Sequence, residues 1–81
     1  MTVRIAAFAR IGEILNSGAL DLNLGGDATA GSAWQALCAN FTDLAPLRAS
    51  TRLVVNGELA HDGTPLREGD ELALLPPFGG G

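Results

Sequence analysis

The residues best placed to do chemistry stand together in the last stretch, Pro76-Pro77-Phe78-Gly79-Gly80-Gly81. Gly81 carries the terminal carboxyl group, a reactive handle that needs no side chain. Proline fixes φ and stiffens the exit from the segment before it, while glycine has no Cβ and lets a backbone pass where any side chain would collide. Extended, residues 76–81 cover roughly 20 Å at ~3.3 Å per residue, enough to thread a carboxylate into a partner's narrow channel. Terminal glycines more commonly mean a frayed end. What favours function over fraying is the run of apolar residues, Leu72-Ala73-Leu74-Leu75, that leads straight into the two prolines.

Little else in the chain offers chemistry. One histidine, His61, one cysteine, Cys38, and no tyrosine leave almost no material for a metal site or a nucleophile-base pair, so the chain alone is not expected to be catalytic. His61 stands alone in a polar turn. Cys38 has no partner for an internal disulfide and falls inside an apolar helical stripe, where a thiol acts as a small hydrophobe. Nine acidic residues against five arginines give a net charge of −4, which disfavours a phosphate backbone and points to basic partner surfaces. With 47% hydrophobic and 17% charged residues over 81 positions, one small globular domain is expected. No apolar run resembles a signal peptide or membrane span, so a soluble, cytoplasmic protein is expected.

The elements that must position the tail follow from periodicity. Residues 2–8 alternate, with Val3, Ile5 and Ala7 on the core face and Arg4, Ala6 and Phe8 on the other, the pattern of a strand. Ile11, Ile14 and Leu15 then take helical spacing over residues 10–16, closed by Asn16-Ser17-Gly18. Leu20, Leu22 and Leu24 alternate again, and the short connection favours an antiparallel pairing with the first strand. Thr29 is positioned to cap a main helix over residues 30–41, with Ala33, Trp34, Leu37, Cys38 and Phe41 in one apolar stripe. An irregular link around Pro46 leads to a strand over residues 52–55, and Asn56-Gly57 turns it into residues 58–60. Turn signals at 61–63 and 68–70 flank Leu66, expected to plug the sheet edge. Residues 71–75 form the last strand, with Leu72 and Leu74 inward and Ala73 and Leu75 outward. These elements predict an α+β roll, a mixed sheet of about five strands around one main helix: a domain over 1–75 and a flexible tail over 76–81. Phe8, Leu75 and Leu59 then share the face opposite the helix, an apolar patch suited to a protein partner.

The run from Asp62 through Pro65-Leu66, Gly69-Asp70-Glu71, the apolar strand, Pro76-Pro77 and Gly80-Gly81 resembles the C-terminal signature of the MoaD family, the small sulfur-carrier subunits of molybdopterin synthase. Val55-Asn56, Thr29-Ala30-Gly31 and the opening strand and helix are similar to the same family, so the resemblance spans essentially the whole chain. It implies a ubiquitin-like β-grasp fold and a non-catalytic subunit that binds no permanent cofactor, with neither nucleic acid nor membrane as a partner. A MoeB-like activating enzyme would use MgATP to form a transient acyl-AMP at Gly81, and a sulfurtransferase system would convert it to a thiocarboxylate. A MoaE-like large synthase subunit, in a heterotetramer, would then receive the tail and pass the sulfur to cyclic pyranopterin monophosphate.

The resemblance makes Gly81 and Gly80 the reactive end, and Phe8, Leu59, Leu75, Pro76, Pro77, Phe78 and Gly79 the partner-binding residues. Two positions depart from the family's pattern: Gly12, where members often carry Arg, and Gly79, where a larger residue usually precedes the diglycine. Three alternatives stay open at this point: a ThiS-like carrier for thiamine, cysteine or another product, a ubiquitin-like modifier joined to target lysines, and a non-covalent β-grasp binding module. The chain itself has no lysine, which excludes lysine-linked chains of this protein on itself.

Overall fold

The computed structural model describes residues 1–76. Strand β1 (Thr2–Ala7) is followed by helix α1 (Ala9–Leu15), strand β2 (Ala19–Asn23) and helix α2 (Ala30–Asn40). A 3₁₀ segment (Thr42–Ser50) leads to strands β3 (Arg52–Val55), β4 (Glu58–Ala60) and β5 (Glu71–Leu75). The strands form one sheet in the order β2-β1-β5-β3-β4. The two central strands, β1 and β5, run parallel, with Ile5 opposite Leu72 and Ala7 opposite Leu74, and the other pairs are antiparallel, β1 with β2 as the short connection predicted. One face of this mixed sheet closes over α2, the α+β architecture of a ubiquitin-like β-grasp roll.

Alternation sets the core. Val3, Ile5, Leu53, Leu72 and Leu74 are essentially inaccessible and meet Ala33, Trp34 and Leu37 of α2. Each such aliphatic side chain contributes roughly 1.5–3 kcal/mol relative to exposure, so this face carries most of the folding free energy. Cys38 and Phe41, the outer members of the helical stripe, are only half-buried against it.

Four expectations are corrected. Strand β1 stops at Ala7, and Phe8 is the N-cap residue of α1, because Ala9 adopts a φ of +53° that no strand can continue. Leu24 lies past β2, although its N–H still donates to the Met1 carbonyl. The link around Pro46 is a nine-residue 3₁₀ segment that seats Leu44 in the core at zero exposure; isolated apolar residues among polar ones gave no period by which to see it. Leu66 enters the core and does not cover an edge: its N–H donates to the Ala28 carbonyl, beside a bridge between Thr29 and Pro65.

The start of α2 is fastened twice. Thr29 and Ser32 form a reciprocal capping box, each side chain accepting from the other's backbone N–H. The Ala30 and Gly31 N–H groups, which have no partner within the helix, donate to the carbonyls of Thr64 and Asp62 at 2.8 and 2.9 Å. That close approach requires glycine, since a Cβ on Gly31 would stand 2.9 Å from both the Asp62 carbonyl oxygen and its Cβ. At the opposite side, Asn56 at the β3–β4 turn has a φ of +50°. Its side chain donates to Asp70 and accepts from the Glu71 N–H, tying the hairpin to the start of β5. The Asn56 hydrogen bond, helped by the Arg67 N–H, holds the Asp70 carboxyl below its ordinary range.

Gly31→Ala is expected to cost about 1–3 kcal/mol in urea unfolding, as overpacking against backbone does, whereas Gly26→Ala, with open space around it, changes stability by less than about 0.5 kcal/mol. Asp70 gains stability from its lowered pKa above the unfolded value of roughly 4, and that contribution is lost as pH falls through the lower folded value. Thermal melts from pH 6 downward should therefore show a steeper acid decline for the natural chain than for Asp70→Ala.

Candidate functional site

The parallel pairing of β1 with β5 decides where the chain leaves the domain. Ala7 stands opposite Leu74, so the next residues along, Phe8 and Leu75, reach the same level, and Pro76 emerges exposed just beyond. Leu75 in turn faces Arg52 across the β5–β3 ladder. Proline has no N–H to extend that ladder, so regular pairing ends where the tail begins. Pro77, Phe78, Gly79, Gly80 and Gly81 lie outside the described residues.

Phe8 is held outward by its neighbour. An L-residue in the left-handed region costs roughly 1–2 kcal/mol, and Ala9 occupies it at the step from strand to helix. The turn leaves the Phe8 ring 48% exposed. Leu59, on the short edge strand β4, is 70% exposed. Between them the register draws one row across the sheet: Leu59 opposite Val54, Val54 opposite Ala73, Ala73 opposite Ala6. At ~4.8 Å per strand, Phe8 and Leu59 stand roughly 15 Å apart on one face. Leu75, half-buried, lies beside Phe8 at the end of β5, and Ala6, Ala73 and Val54 fill the row that leads to Leu59, so these residues make an apolar stretch of surface. The next row toward the far end is polar, where Arg4 and Asp21 form an exposed ion pair at 3.3 Å beside Glu71. Such a pair contributes little stability but marks the boundary of the apolar area.

Two grooves adjoin this patch at the tail end. One, of about 220 Å³, is lined by Phe8, Arg10, Leu47, Thr51 and Pro76 among others. The second, of about 350 Å³, lies across Ser50 and Thr51 and is lined by Arg48, Arg52, Leu59 and His61. The 3₁₀ segment supplies the ridge between them, which is why sequence periodicity did not reveal either. That ridge is fixed by Arg48, whose guanidinium donates twice to Asp62, at 2.7 and 3.0 Å, and once to the Thr51 carbonyl.

The two side chains with intrinsic reactivity stand apart from this surface or are occupied. Burial pushes the Cys38 thiol up, away from the thiolate form that reacts. His61 Nδ1 accepts from the Gly63 N–H at 3.0 Å. Among the described residues no three His, Cys, Asp or Glu side chains converge as metal ligands would.

A chain with this fold and this exit has relatives. Residues 5–81 match the ThiS family. Small archaeal modifier protein 1 of Haloferax volcanii is 37% identical over 82 residues, covering 91% of this chain and 94% of the relative. Its crystal structure superposes with a TM-score of 0.87 at 31% identity, covering all of both chains. The molybdopterin synthase sulfur carrier subunit of Arabidopsis thaliana is 29% identical over 79 residues, covering 98% of this chain and 82% of the relative. With the β-grasp topology, the apolar open face and a match that reaches residue 81, this chain belongs to the ThiS family.

Proposed function

We propose that this protein is a sulfur carrier whose Gly81 carboxylate is activated, converted to a thiocarboxylate and spent on cyclic pyranopterin monophosphate in the formation of molybdopterin. The observation that supports the reading is the family match over residues 5–81, a span that includes the glycine tail. The likeness to a molybdopterin synthase sulfur carrier subunit supports the pathway.

The chemistry explains why no catalytic side chain is needed here. A terminal carboxylate, with a pKa of roughly 3.5, is an anion at neutral pH and resists nucleophiles. In the proposed sequence a MoeB-like partner joins it to the α-phosphate of ATP, releasing pyrophosphate and leaving an acyl-AMP. A persulfide sulfur from a sulfurtransferase then attacks the acyl carbon and AMP leaves; reductive cleavage of the S–S bond by a thiol frees the thiocarboxylate. That terminus is the better nucleophile, and the MoaE-like large subunit supplies the proton transfers. The chain contributes delivery: Pro76 at the root of the tail, and the Phe8, Leu59 and Leu75 face for docking.

A second reading is favoured by the 37% identity to a protein named as a modifier. There the activated Gly81 acylates a lysine amine of another protein. The two readings part at the fate of Gly81. Because the last arginine is Arg67, tryptic digestion would leave residues 68–81 on a modified lysine.

Intact mass of the protein after incubation with a MoeB-like enzyme, MgATP and a sulfur donor should rise by the replacement of one oxygen by sulfur. Mixed with the large subunit and cyclic pyranopterin monophosphate, about two charged carriers should be consumed per dithiolene, since each has one terminus. Deleting Gly80 and Gly81 together, which leaves no terminal diglycine, should abolish charging while leaving the unfolding midpoint unchanged. Normal charging of the deleted chain would sink the carrier reading, and lysines bearing residues 68–81, with no sulfur delivered to the pterin, would favour the modifier reading.

Phe8→Ala should weaken the complex with the large subunit by about 1–3 kcal/mol in a calorimetric titration, as loss of an aromatic anchor does. The same change should cost less stability than Leu37→Ala, which opens a core cavity worth about 2–5 kcal/mol. Unchanged affinity in Phe8→Ala would remove this face from the interface.

A further inference from the structure

The smaller groove at the tail root has a size and a chemistry that suit one apolar side chain. At about 220 Å³ it falls below the ~300–1,000 Å³ of small-molecule pockets. Its lining combines the exposed Phe8 and Pro76, the half-buried Leu47 and the buried Ile11 with Ser50 and Thr51. Both hydroxyls are already spent, because Ser50 Oγ and Thr51 Oγ1 donate to the Leu47 carbonyl at 3.1 and 2.7 Å. The Thr51 N–H donates to the Arg48 carbonyl, and the Arg48 guanidinium donates in turn to the Thr51 carbonyl, so this wall is fixed before anything enters. Among the described residues Arg10 is the one charged member of the lining, and its stem can lie along an apolar occupant with the guanidinium in water.

The chain itself supplies such an occupant. Beyond Pro76 the sequence holds a second proline, three glycines and one large apolar side chain, Phe78. Phe78 lies outside the described residues, two positions past a residue that lines the groove. A residue before proline is kept extended and proline fixes its own φ, so Pro76-Pro77 is a stiff step of ~3.1 Å per residue. That puts the Phe78 Cα roughly 6 Å from that of Pro76, close enough for its side chain to turn back onto the groove. The two prolines have little backbone freedom left to lose, which lowers the cost of holding Phe78 in place. We infer that the Phe78 ring seats in this groove of its own domain, against Ile11 and Leu47 and beside the ring of Phe8. Burial there removes apolar surface from water and gives the ring an aromatic neighbour. The seat itself needs no partner; its consequence for delivery deepens the carrier reading and rests on it. Of residues 76–81, the segment left to enter a partner's channel is Gly79-Gly80-Gly81, about 10 Å long when extended. A ring too wide for a narrow channel then has a place of its own, and the glycine after it lets the backbone turn away from the groove.

The test uses the full-length protein labelled with ¹³C and ¹⁵N, without enzyme or partner. Nuclear Overhauser contacts should run from the Phe78 ring protons to the methyl groups of Ile11, Leu47 and Thr51. The Phe78 amide should keep an order parameter above about 0.6, with lower values only from Gly79 onward. Phe78→Ala should move the shifts of those methyl groups and bring the amide of residue 78 below about 0.6, whereas Phe78→Leu, which keeps a large apolar group, should hold it above. Mixing labelled with unlabelled chains separates contacts within a chain from contacts between chains. Ring contacts found only between chains would assign the groove to the tail of a second copy and overturn the proposal. Absence of ring contacts, or an order parameter at residue 78 that is the same with and without the ring, would overturn it as well. Intact mass after charging keeps the two readings apart. A chain whose ring is seated but which never accepts sulfur loses the carrier function and keeps the anchor; a chain that is charged normally but shows no ring contacts does the reverse.

Discussion

The structure depends on the parallel pairing of its first strand with its last. Ile5 against Leu72 and Ala7 against Leu74 join residues some sixty-seven positions apart, and all four side chains are buried. The rest of the sheet is attached through this pair, β2 to β1 and β3 to β5, with β4 beyond β3, so its loss would split the sheet in two. The direction matters as much as the contact. Because the two strands run the same way, both finish at one end of the sheet, where Phe8 turns into α1 and Pro76 leaves β5. An antiparallel pairing of the same residues would bury similar area but put Pro76 beside Thr2, far from the exposed aromatic ring. A choice of strand direction, made for the core, thus brings the tail root and the apolar face together.

Polar fastening is distributed accordingly. The far end is closed by Asn56 with Asp70 and Glu71, by Glu68 on the Thr2 N–H, and by the Met1 ammonium on the Leu24 carbonyl. The loop that carries Asp62 and Thr64 is held by backbone groups at the start of α2. Near the tail root, the fixed parts are Arg48, which locks the ridge at Thr51, and the left-handed Ala9, which sets the angle of Phe8. An exposed side chain on a rigid turn loses little conformational freedom when a partner covers it, so the strained Ala9 would lower the entropy cost of the proposed docking at Phe8.

Most of this was readable from residue order because strands and the main helix announce themselves by period. Val3, Ile5, Leu72 and Leu74 alternate inward as parity requires, Thr29 caps α2, and Asn56-Gly57 turns β3 into β4. The patch of Phe8, Leu59 and Leu75 came from the same parity, even though Phe8 is not in a strand: it lies one residue past β1 and inherits its side. What escaped was structure with no repeat. The 3₁₀ segment buries Leu44 and half-buries Leu47 by tertiary contact, and neither its ridge nor the grooves beside it follow from local spacing.

The open face also shows where folding stops being the constraint. Ala6 and Ala73 stand opposite each other in its middle with small side chains, while the large apolar groups Phe8 and Leu59 stay exposed to either side. A sheet face meant only for water would favour charged or polar residues at those positions, as it does one row away at Arg4, Asp21 and Glu71. The core closes without either residue: Val3, Ile5, Leu72 and Leu74 are already sealed by α2 and its neighbours. Exposed at 48% and 70%, Phe8 and Leu59 add little to the stability of the isolated domain and raise the hazard of unwanted association. Their positions fit the proposed docking, in which another surface covers them and removes that hazard.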